Sequence, residues 1–129
     1  ITCLTKRLNN MKYSVFVTFQ LEGFHCWPEA KDVFPEVGFL SDRHRHMFHF
    51  KCYATVTHTD RDEEFIRMKR RLETQIQTKF GNMNSYGFRG CEFGRMSCED
   101  IGEWLLEQNE NIYRVEVSED GENGAIVEL

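Results

Sequence analysis

His44-Arg45-His46-Met47-Phe48-His49-Phe50-Lys51-Cys52-Tyr53-Ala54-Thr55-Val56 alternates along its length. Phe48, Phe50, Cys52, Ala54 and Val56 share one parity, and Met47, His49, Lys51, Tyr53 and Thr55 share the other. A period of two is that of a β-strand with one buried face. The apolar parity also carries His44 and His46, so both imidazoles belong to the core face at one end of the strand. His49 has the opposite parity and is expected to face away. Upstream, Val15, Val17, Phe19 and Leu21 alternate with Phe16, Thr18 and Gln20, a second strand in which His25 keeps the parity of Val15. Two histidines at i and i+2 and a third on a neighbouring strand can form a three-imidazole site with an open position. A catalytic zinc needs that arrangement, because water or substrate takes the fourth place.

The other segments supply a frame. Trp27 to Gly38 carries both prolines and several charges and reads as a connection. Asp60, three residues before Glu63, marks a helix start with a carboxylate in the first turn. Phe65, Met68, Leu72, Ile76 and Phe80 then recur at spacings of three and four, an amphipathic helix ending near Gly81. Gly81 to Arg95, rich in Gly and Asn, reads as a long loop. Ser97 with Asp100 forms a capping box for a shorter helix with Ile101, Trp104 and Leu105 inward. Val115, Val117 and Glu119 share a parity on a third strand. A turn over Asp120-Gly121-Glu122 precedes a fourth strand from Ala125 to Leu129. The expected fold is α+β: a four-stranded antiparallel sheet with two helices on one face. Residues 1–10 lack periodicity and read as a disordered leader before a single domain over 11–129.

Composition excludes several classes. At 40% hydrophobic and 13% aromatic, the 129 residues can bury a core, so disorder is not expected. The formal net charge of −5, with acids and bases interleaved, argues against a nucleic-acid partner. The basic run Arg67 to Arg71 reads as a solvated helix face opposite the apolar stripe. No apolar run is long enough to span a bilayer. Five cysteines, an odd number at spacings fitting neither a disulfide framework nor a metal knuckle, read as reduced thiols of a cytoplasmic protein.

Five segments in order carry a resemblance: Leu21-Glu22-Gly23-Phe24-His25, His44-Arg45-His46, Glu64-Phe65-Ile66-Arg67-Met68-Lys69, Ser97-Cys98-Glu99 and Val117-Ser118-Glu119. Together they resemble the signature segments of the 6-pyruvoyl-tetrahydropterin synthase and 6-carboxy-tetrahydropterin synthase family. The resemblance covers nearly everything from Met11 onward. It implies the tunnelling fold, closed into a barrel by rings of three subunits, often paired into six. It implies Zn2+ on His25, His44 and His46, and Glu119 as the anchor of a pterin ring; the turn over Asp120-Gly121-Glu122 leaves the register open and makes Glu122 a rival. Ser97 and Glu99 match the family's Thr-x-Glu segment and become candidate substrate-binding residues. The implied activity is that of a zinc-dependent lyase on a dihydroneopterin triphosphate-like substrate. The alternative is a binding protein for a pterin, purine or nucleotide that it does not convert.

Two departures bear on the choice. The family's catalytic cysteine lies shortly before His-x-His, where this chain reads Gly38-Phe39-Leu40-Ser41-Asp42-Arg43. Its Asp-His pair follows the long helix, where Asn82 to Cys91 contains neither Asp nor His. Cys26, Cys91 and His58 are the candidate substitutes. A thiol beside a cation becomes a thiolate, and a histidine titrates near neutrality. Cys26 is expected to point away from His25 if the strand continues. Phe24, Trp27, Phe34 and Phe39 are expected to flank the mouth of the pocket.

Overall fold

β1 (Tyr13–His25) and β2 (His44–Val56) pair antiparallel along their full length, from Tyr13 opposite Val56 to His25 opposite His44. The computed structural model describes residues 10–129, so the expected leader lies almost wholly outside the described residues. Between the two strands run a one-turn helix, α1 (Ala30–Val33), and a 3-10 segment (Pro35–Ser41). After β2 come α2 (Phe65–Phe80), β3 (Gly81–Asn84), β4 (Gly87–Gly94), α3 (Cys98–Gln108), β5 (Ile112–Glu119) and β6 (Asn123–Glu128). The strands form one sheet in the order β3-β4-β1-β2-β5-β6.

The sheet therefore has six strands and is mixed, not four and antiparallel. β1 pairs with β4 in parallel, while every other neighbouring pair is antiparallel. The two extra strands replace the long loop expected over Gly81 to Arg95. They form a hairpin whose turn is held by Asn84 Oδ1 accepting from Tyr86 N at 2.8 Å. Glycines obscure this hairpin in the sequence, yet β4 contributes Cys91 and Phe93 to the core.

Both helices cover one face. Met68, Leu72 and Ile76 of α2, with Ile101 and Leu105 of α3, pack on Val17, Phe19, Phe48, Phe50, Val115 and Val117. Phe19 and Phe50 stack at 5.0 Å between ring centroids. Burying such side chains is worth about 1.5–3 kcal/mol each. α2 starts later than expected: its N-cap is Glu64, whose carboxylate accepts from Ile66 N at 2.7 Å, and Phe65 stays 55% exposed. α3 has its capping box as the sequence predicts, with Ser97 Oγ accepting from Asp100 N at 3.1 Å and Asp100 Oδ2 from Ser97 N at 3.0 Å.

One close approach shapes the end of the sheet where the histidines lie. Gly23 sits opposite His46, and a Cβ there would stand 2.6 Å from the Phe93 ring and 2.8 Å from Phe48. The missing side chain lets both rings pack beneath the histidines.

Candidate metal centre

The strand register brings the three histidines together. His25 ends β1 directly opposite His44, the first residue of β2, and His46 follows on the same face. Their ring centroids lie 4.6 Å (His25–His44), 5.0 Å (His44–His46) and 5.3 Å (His25–His46) apart. One nitrogen from each lies within 4.8 Å of the other two. Phe48 meets the rings of His25 and His46 edge-on, closing the site from the core side.

Each ring has its second nitrogen already engaged. Nδ1 of His25 meets the Met96 carbonyl at 2.9 Å, Nδ1 of His44 the Asp42 carbonyl at 2.8 Å, and Nδ1 of His46 the Asp120 carboxylate at 2.7 Å. A carbonyl oxygen can only accept, so Nδ1 of His25 and His44 carries the proton and Nε2 is left with a lone pair. Metal-binding histidines are oriented in this way. Nε2 of His25 and Nε2 of His46 are buried and make no hydrogen bond of good geometry. Three imidazole donors, two of them buried without a partner, fit a zinc ion with a position left for substrate.

Glu119, at the end of β5, faces the same point. Its two oxygens lie 3.3 Å from His25 Nε2 and 3.0 Å from His46 Nε2. These are ion-pair distances without hydrogen-bond alignment. The His25 contact above all, then the charges of the nearby histidines, hold the Glu119 carboxyl below its ordinary 4.5 against the opposing effect of burial. Burial pulls His25 down, but Glu119 and the Met96 carbonyl outweigh it and leave His25 above its ordinary 6.5. Cys98 Sγ lies 3.8 Å from Glu119 Oε1. Burial first, then the charges of Glu119 and Glu99, push that thiol up to about 12, so it stays protonated at neutral pH.

A cavity of about 750 Å³ opens over this cluster. Ser97 and Glu99 line it with His25, His44 and Glu119. Cys26 lines it too; its outward orientation is expected only if the strand continues, and β1 ends at His25. Just past that end, Cys26 N donates to Gly94 O at 2.8 Å. Among the four aromatics expected at the mouth, Trp27 lines the cavity. Phe24 instead carries the Arg43 guanidinium 3.7 Å above its ring, and Phe39 is 70% exposed. Cys91 is buried in the core on β4, where burial and Glu92 push its thiol up to about 12. His58 lies beyond the opposite end of β2, 3.6 Å from Asp62. Glu122 is exposed in the β5–β6 turn and does not line the cavity.

Asp120 is the residue that reading the sequence passes over as part of a turn. Its backbone is left-handed, with φ 57°, as is that of Gly121 with φ 72°. That conformation folds the chain back on β2: Asp120 N donates to Met47 O at 2.7 Å, and Met47 N donates to Asp120 Oδ1 at 2.9 Å. The other oxygen holds His46. The Met47 amide and then His46 keep the Asp120 carboxyl below its ordinary 3.8. An Asp-Gly pair directly after an inward-facing strand-end glutamate was the available signal.

In sequence, no family model and no curated protein matches the chain. Solved structures do match it. It superposes on 6-pyruvoyl tetrahydropterin synthase of Caenorhabditis elegans with a TM-score of 0.67 and 11% identity, over 92% of this chain and 96% of that one. An uncharacterized protein of Wolinella succinogenes matches with a TM-score of 0.60 and 13% identity, over 92% and 99% of the respective chains. At such identities the likeness is one of fold, and the fold is the one the five sequence segments imply. Among the described residues, no helix is long and apolar enough to cross a membrane.

Proposed function

We propose that this chain is a zinc-dependent enzyme of the pterin synthase type. It acts as a lyase on the side chain of a pterin- or purine-like molecule, for which a dihydroneopterin triphosphate-like compound is the implied model. The observation that carries this reading is the set of three converging imidazoles, each with Nδ1 engaged, beside the ionised Glu119. His25, His44 and His46 would hold the ion. When bound, zinc supplies a Lewis acid that polarises a carbonyl or hydroxyl oxygen. Glu119 accepts two parallel N–H bonds from the amino-amidine edge of the ring, a charge-assisted bidentate contact. The likeness in fold to a pterin synthase supports a pterin-like ring as the ligand class. Ser97 and Glu99 border the ring from the start of α3. Cys26, on the cavity wall directly after His25, is the candidate proton-transfer group.

Two observations favour the alternative, capture without conversion. Cys98, the thiol against Glu119, is held protonated, and the hairpin after α2 offers no Asp-His pair. On either reading the chain acts as a ring of copies, because β3 and β6 leave two open sheet edges that self-association would close. Free thiols at Cys26, Cys52, Cys91 and Cys98 support a reducing, cytoplasmic setting.

Metal analysis of the purified protein tests the reading. Zinc is expected at one ion per chain in the wild type and absent from His44→Ala, and sedimentation is expected to find a trimer or hexamer. Wild-type protein without zinc after reconstitution would sink the proposal. Turnover of dihydroneopterin triphosphate or its dephosphorylated form separates enzyme from binding protein.

A further inference from the structure

We propose that Glu119 is a movable fourth ligand: it closes the metal position while no ring is bound and gives that position up when a heterocycle takes the carboxylate. This rests on the reading above and adds how the site opens. The placement of the carboxylate carries it. Oε1 lies 3.3 Å from Nε2 of His25 and Oε2 lies 3.0 Å from Nε2 of His46. These two nitrogens are buried and have no hydrogen-bond partner.

Nδ1 of each ring faces an acceptor and carries the proton, so each Nε2 turns a lone pair toward a carboxylate oxygen. Acceptor against acceptor at such distances is repulsive unless a cation lies beside both. A proton on Nε2 does not resolve the contact. It would lie in the ring plane and point at Glu119, and neither nitrogen has a bond of that geometry. Imidazole and carboxylate therefore stand in contact without aiming at each other. Ligands of one ion do so, because each aims at the ion. Zinc bonds of about 2.0–2.2 Å to nitrogen and oxygen put neighbouring ligand atoms of a tetrahedral site roughly 3.4 Å apart. The two contacts are close to that length.

The same carboxylate is free to leave. It ends β5, lines the cavity, and among the described residues its ion pairs are with His25 and His46 alone. From its other side it meets Cys98 Sγ at 3.8 Å, a weak donor. Two parallel N–H bonds from a ring edge are a strong partner for a carboxylate and can draw it off the metal position. Ring binding and opening of that position are thus one event.

Cobalt(II)-substituted protein tests this, since the visible absorption of that ion follows its ligands. Imidazole probes the open position, because at mildly alkaline pH it is neutral and indifferent to the charge of Glu119. Unsubstituted pterin probes the ring site. In the wild type, imidazole is expected to bind the cobalt about tenfold more tightly once pterin is bound, and pterin to gain the same factor from imidazole. In Glu119→Gln the cobalt spectrum should differ from wild type before pterin is added, and the coupling should vanish. Chelator competition should show its zinc affinity lowered by about tenfold or more. The wild-type coupling decides alone if the variant folds poorly. Pterin that binds wild type without raising imidazole affinity overturns the inference and leaves the heterocycle reading standing. A variant with wild-type spectrum and zinc affinity overturns it too. If cobalt-loaded wild type does not bind pterin, the heterocycle reading falls and this inference falls with it.

Discussion

The helix-covered face of the β1–β2 pair is made of two regions that share one alternation and differ in chemistry. Along most of its length, Val17, Phe19, Phe50, Cys52 and Ala54 are sealed under α2 and α3. At the end where β1 stops and β2 starts, the same parity presents His25, His44 and His46. The covered region needs atoms that ask nothing of their neighbours. The open region borders a cavity, so it can hold groups with unspent lone pairs, provided that each ring is fixed from behind. The carbonyls of Met96 and Asp42 and the carboxylate of Asp120 do the fixing. One strand pair thus carries a core and a site, and what lies above each part decides which it is.

Three changes test that division. Phe50→Ala in the covered region is expected to cost about 3–5 kcal/mol of stability, through lost burial and the cavity left against Phe19. Denaturant unfolding should read this directly; a loss near zero would mean that the two regions are not energetically distinct. Asp120→Ala in the open region is expected to weaken zinc binding by about 10–100-fold, with chelator competition as the measure. The melting temperature of the metal-free protein should fall as well, because Ala loses the bond from Met47 N and is disfavoured at the left-handed backbone of this position. Asp120→Asn keeps an acceptor for His46 and should recover part of the affinity. If both variants bind zinc like wild type, Asp120 does not orient His46.

The smallest effect is expected at the far end of β2, the end away from the histidines. There the Asp62 carboxylate accepts from Thr57 N at 2.8 Å and Thr57 Oγ1 at 3.0 Å, and those bonds hold it below its ordinary 3.8. Because the folded-state pKa is depressed, its contribution is present above 3.8 and is lost as pH falls through the lower, folded-state value. Asp62→Asn should lower the melting temperature by about 2 °C or less at neutral pH. The difference should vanish in acid. A difference that persists below the depressed pKa would show that charge is not its source.

Legibility followed the range of the interactions. The parity of His25, His44 and His46 could be read directly, because a strand's period of two needs only adjacent residues. So could the inward stripe of α2 and the capping box of α3, which repeat over one turn. The β3–β4 hairpin could not. Gly81, Gly87, Gly90 and Gly94 dilute its pattern, and its strands are stabilised by Cys91 and Phe93 reaching the distant core. The place of Cys26 could not be read for a related reason: parity extends only as far as the strand, and β1 stops at His25, where it pairs with Gly94.

By itself, the sequence determined that three imidazoles and Glu119 lie on inward faces at strand ends, because alternation is a local property of the chain. It also set where the helices bury their stripes and how α3 is capped. Only the tertiary structure decided that β4 inserts in parallel beside β1, that Asp120 folds back to hold His46, and that carboxylates surround the cavity. Those facts depend on pairings between residues tens of positions apart, such as His46 with Asp120, whose closure is driven by burial summed over the whole sheet.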